Sequence, residues 1–167
     1  VEIRGDGRGV WCVGAGIGSD RGNGVLGADG HGVRMLADHS WRRMPGGGPI
    51  LLNLIHEVGN LRAMLGEIVA VQAFSSNTTR SFDVEDTVAI NFRFENGALG
   101  SFLLSDTAAC ARSWEQTSRE NAQYASYPDE DCYTIIGDRG SLAVPTMRLK
   151  YYESAQDRSW YKPFVCE

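Results

Sequence analysis

Three glycines and a proline, Gly46-Gly47-Gly48-Pro49, stand directly ahead of an amphipathic run that carries Asn53, His56 and Asn60. Glycines before a helix N-terminus allow another group to approach the backbone closely, and that end of a helix favours negative charge or electron-rich oxygen. Offsets of three and seven put Asn53, His56 and Asn60 in one polar stripe beside the apolar seam. Histidine moves protons near neutral pH, as oxidation of a secondary alcohol by hydride transfer requires. A helix histidine held by a local hydrogen bond also accounts for this spacing, and the residues alone leave both readings open.

Other stretches carry weaker signals. Residues 108–131 form a long polar connection containing Trp114, Glu115, Glu120, Asn121, Tyr124 and Tyr127. Aromatic and amide groups in such a loop suit stacking on a sugar-like ring and bonding to its hydroxyls, while a solvated or partner-binding loop fits equally well. Gly14, Gly16 and Gly18 resemble a dinucleotide fingerprint, but the apolar run before them is short and Asp20-Arg21-Gly22-Asn23-Gly24 is a poor helix opening, so cofactor binding there is not expected. His31 and His39 lack partners at metal-ligand spacing, and no metal site is expected. Asp83, Glu85 and Asp86, just before a strand, read as a solvated turn with at most a minor structural role.

The elements that position these groups follow from periodicity. Pro49 suits a first helical turn, Leu51, Leu54, Ile55, Val58, Leu61 and Leu65 recur at helical spacing, and Gly66 is a natural stop, which predicts a helix over 49–65. Strands are expected over 68–74, 88–94, 98–105, 132–136 and 141–144, with an edge strand over 148–153. Asn96-Gly97 predicts a tight type I′ hairpin. A helix followed by successive hairpins implies an α+β fold, an open, mostly antiparallel sheet with helices packed on one face. The other face, carrying Thr87, Asn91 and Arg93, is left for a cleft, a domain contact or a subunit interface.

The chain has 167 residues, 43% hydrophobic and 22% charged, enough for one domain with a real core. Eleven of its 20 glycines fall in residues 1–40, which read as irregular and unassigned, whereas 41–167 read as a folded domain. A net charge of -5 with no basic block argues against nucleic acid, and no apolar run is long enough for a membrane span. A cytoplasmic protein is expected. Cys12, Cys110, Cys132 and Cys166 have no paired spacing and read as reduced thiols. The opening Val1 and the ending Val165-Cys166-Glu167 read as those of a fragment.

The stretch from Trp41 to Glu57 resembles the opening of the C-terminal domain of the Gfo/Idh/MocA oxidoreductase family. Gly66-Glu67-Ile68-Val69, Val84-Glu85-Asp86-Thr87, Phe94-Glu95-Asn96-Gly97-Ala98-Leu99-Gly100, Ser113-Trp114-Glu115 and Gly140-Ser141-Leu142 continue the likeness in order, to about Phe164. The resemblance implies an N-terminal Rossmann domain binding NAD or NADP, absent here, and a sheet domain that shapes the substrate pocket and pairs subunits. It implies a sugar, inositol or similar polyol as substrate and His56 as proton-transfer residue. Asn53 and Asn60 would orient the substrate or His56, and Trp41, Arg43, Trp114 and Asn121 would line the pocket. Two departures stand out: Leu52 occupies a place often held by aspartate, and the family's glutamate-lysine-proline motif occurs nowhere in the chain. The isolated chain is therefore expected to be inactive and to bind no cofactor tightly, and a non-catalytic module for subunit pairing or sugar binding is the alternative.

Overall fold

The computed structural model describes residues 40–120 and 122–167. Helix α1 follows the predicted span, with a π-helical first stretch, Ile50–Leu54, continuing as the α-helix Ile55–Leu65 and ending at Gly66, whose φ is 91°. Seven strands follow: β1 (Ile68–Ser76), β2 (Thr87–Phe94), β3 (Leu99–Ser105), β4 (Tyr133–Ile136), β5 (Gly140–Val144), β6 (Leu149–Tyr151) and β7 (Val165–Cys166). A short helix α2, Trp114–Ser118, lies between β3 and β4. The fold is α+β, with two antiparallel sheets in the orders β1-β2-β3 and β4-β5-β6-β7. Strand β6 is therefore flanked on both sides, by β5 and β7, and is not the edge strand that its sequence predicts.

Strands β2 and β3 alternate buried and exposed residues, as a half-covered sheet requires. Val88, Ile90, Phe92, Phe94, Phe102 and Leu104 face inward and join Leu54, Leu61 and Leu65 of α1 in one core. Cys132, Tyr133 and Ile135 of the second sheet complete it. Leu61 is wholly excluded from solvent and Phe94 and Leu104 nearly so, making this seam the densest part of the domain. The opposite face of the first sheet is open, and on it Phe74, Leu99 and Leu103 are exposed beside Ala89, Asn91 and Arg93.

The β2–β3 hairpin departs from the predicted type I′ geometry. Its turn is closed by Gly97 N–H donating to Phe94 O at 3.0 Å, and Gly97 alone has a positive φ, of 87°. Asn96 keeps an ordinary φ because its side chain has a tertiary task. Its Nδ2 donates to Leu65 O, a terminal carbonyl of α1, at 2.9 Å, and its Oδ1 accepts from Ala98 N at 3.0 Å. Gly97 supplies the left-handed residue of a three-residue loop, which frees Asn96 to cap the helix.

Helix α2 docks beside α1. Ser113 caps it, its Oγ accepting from Gln116 N at 3.2 Å, Thr117 is buried, and Trp114 packs on Tyr133 with ring centroids 6.3 Å apart. Glu57 of α1 is half-buried at this contact. Burial, reinforced by the charge of Glu115 and opposed by a hydrogen bond from Asn60, pushes its carboxyl from 4.5 up to about 7. As pH rises from 4.5 toward 7 the unfolded chain loses this proton while the fold retains it, so stability falls across that window and is level above it.

Two outcomes follow from this packing. Asn96→Ala, which leaves Leu65 O without its partner, is expected to destabilise the domain by about 1–2 kcal/mol in urea unfolding, while Asn91→Ala on the open face changes little. Glu57→Gln is expected to raise the melting temperature by several degrees at about pH 8 and hardly at all near pH 4; equal effects at both would show that the Glu57 proton does not couple to folding.

Candidate functional site

The glycine run forms a tight passage where the chain enters α1. A Cβ at Gly47 would stand 2.3 Å from Trp41 O, and one at Gly48 would stand 2.4 Å from Glu85 Oε1. At Gly47 the close group is backbone, which only glycine admits, and at Gly48 it is the carboxylate of the chain's own Glu85. Its Oε1 accepts from Ile50 N at 2.9 Å, so a carboxylate already satisfies the positive end of α1. The spacing predicted an electron-rich group at this position; Glu85, read from sequence as part of a solvated turn, supplies it.

Asp86, the next residue, is also not solvated. It is 1% exposed, and its Oδ2 accepts from Thr79 N at 2.9 Å and Arg80 N at 3.0 Å, drawing the loop after β1 over the strand ends. Arg80 turns its guanidinium toward Asp106 at the end of β3, donating through NH1 to Oδ2 and through NH2 to the backbone oxygen at 2.9 Å. Asp106 is 8% exposed. Burial pushes its carboxyl up to about 6 despite the pull of Arg80, and the nearby charge of Asp86 pushes the same way.

These groups border a small cleft of about 10 Å³, room for about one water, between the start of α1 and the ends of β2 and β3. Its walls are Arg42, Gly47, Gly48, Pro49, Leu52, Asn53, Arg80, Val84 and Asp106. Asn53 Oδ1 is buried there and accepts no hydrogen bond from any described residue. Of the residues singled out in the sequence, Asn53 lines this cleft. His56 lies on the exposed flank of α1, one helical turn further on, and Asn60 is half-buried and bonded to Glu57.

The other candidates divide. Trp41 is 48% exposed, with the Arg42 guanidinium 5.3 Å from its ring centre, and Arg43 lies 4.5 Å over Phe82, so Arg42 and not Arg43 reaches the cleft wall. Trp114 packs on Tyr133, its indole donating to Glu120 Oε2 at 2.9 Å, and lies half-buried, apart from the residues that line the cleft. Asn121 and the Gly14, Gly16 and Gly18 fingerprint lie outside the described residues. Sequence reasoning missed Arg42, Arg80 and Asp106, whose proximity arises from contacts between distant segments; the motif Glu85-Asp86-Thr87 was the one local signal.

Every described strand pair is antiparallel, so the described residues contain no parallel βαβ unit of the kind that cradles a dinucleotide. Among them, no helix is long and apolar enough to cross a membrane. Cys110, Cys132 and Cys166 are free, and burial pushes the Cys132 thiol up to about 11, which makes it inert.

The fold resembles an NAD-binding protein from Listeria innocua, with a TM-score of 0.59 at 14% identity over 93% of this chain and 38% of that one. It also resembles the WlbA dehydrogenase from Bordetella pertussis, solved with NADH and UDP-GlcNAcA, with a TM-score of 0.53 at 19% identity over 83% of this chain and 35% of that one. A levoglucosan dehydrogenase, solved with NADH and levoglucosan, gives 0.52 at 21% identity over 96% of this chain and 40% of that one. The chain thus spans 35–40% of the length of these structures, and at such identities the likeness is one of fold. No curated protein matches the chain in sequence. A model of the GFO/IDH/MocA C-terminal domain matches residues 25–143, most of the chain. The chain belongs to the GFO/IDH/MocA family through its C-terminal domain.

Proposed function

We propose that this chain is the substrate-side domain of an NAD(P)-dependent oxidoreductase acting on a sugar, inositol or similar polyol. The observation that carries this reading is an exposed histidine, His56, one helical turn beyond the Asn53 cleft in a chain of the GFO/IDH/MocA family. His56 takes the proton from the reacting hydroxyl oxygen as that carbon loses hydride, and its exposure keeps it accessible to a substrate lying across α1. Asn53 orients the substrate from the cleft side. Asn60 acts through Glu57, to which it is bonded, and so is a positioning residue. Trp41 and Arg43, both exposed before α1, remain candidates for the pocket rim.

The nicotinamide cofactor, which would supply or accept the hydride, belongs on this reading to a Rossmann domain outside the chain. The similar structures solved with NADH and a sugar or sugar nucleotide support the reading of a nicotinamide-dependent sugar oxidoreductase. The boundary taken at residue 41 rests on composition, and the family match reaches into the glycine-rich stretch from residue 25.

The open face of the first sheet supports pairing of two copies. Phe74 is 74% exposed, Leu103 54% and Leu99 45%, an apolar group on an otherwise regular sheet. The same surface suits the alternative, a sheet module for subunit pairing or sugar binding without turnover.

In the longer protein with its cofactor-binding half, His56→Ala is expected to lower kcat about 100-fold or more with little change in KM. An unchanged kcat would remove His56 from the reaction. The 167-residue chain alone is expected to reduce no nicotinamide with any polyol. In sedimentation, Leu103→Asp is expected to convert a self-associating chain to monomer; a chain that is monomeric from the outset rules out the sheet-face contact.

A further inference from the structure

We draw no further inference here: the strongest candidate, the exposed surface patch of Trp160 and Tyr161 at the tip of the loop between β6 and β7, which the Tyr152 hydroxyl braces by donating to Ser159 O at 2.6 Å, carries nothing because nothing in the structure shows what covers it.

Discussion

Everything in this domain depends on how α1 is seated on the inner face of the first sheet. Leu54, Leu61 and Leu65 enter a layer built by Val88, Ile90, Phe92, Phe94, Phe102 and Leu104, and Leu61 is completely removed from water. Hydrophobic burial of this kind is strong but non-directional, and by itself it would let the helix slide or turn. Two polar contacts fix it. Glu85 holds the first turn through Ile50 N, and Asn96 holds the last through Leu65 O. Both come from segments adjoining β2, so the strand that supplies much of the core also sets the height and rotation of the helix.

That arrangement explains why the candidate site lies where it does. Clamping the start of α1 against the turn before β2 brings the glycine passage, Asn53 and Leu52 up to the ends of β2 and β3, and Asp86 organises the loop that delivers Arg80 to Asp106. The carboxylates here serve different ends because their surroundings differ. Glu85 accepts from the first turn of a helix, Asp86 satisfies two backbone amides, and Asp106, buried beside Arg80, has its carboxyl raised to about 6.

The family relationship and the physical reading support one another without being the same statement. Membership follows from the match over residues 25–143, and the fold likeness extends to structures of which this chain spans 35–40%. Every described strand pair is antiparallel, as in the sheet domain that the family match covers. Phe74, Leu99 and Leu103 form an exposed apolar group on the open face of the first sheet.

Much of the secondary structure was legible in the sequence, because helix and strand periods are local. The seam Leu54, Leu61, Leu65 and the alternation of β2 appear in the structure where their spacing predicts them. So was the glycine run's role as a place of close approach. The type I′ turn at Asn96-Gly97 and the edge position of β6 were not, since one depends on a helix carbonyl 31 residues away and the other on β7 pairing from the chain's end. The acidic residues before β2 mislead for the same reason: a carboxylate next to a turn is usually solvated, and only the tertiary fold brings Ile50 N to Glu85 and the loop amides to Asp86. The sequence by itself determined the fold class, the helix that carries His56 and the family likeness. Tertiary structure decided which polar groups share a cleft, because Asn53, Arg80 and Asp106 become neighbours only once α1 has been pinned across the ends of the strands.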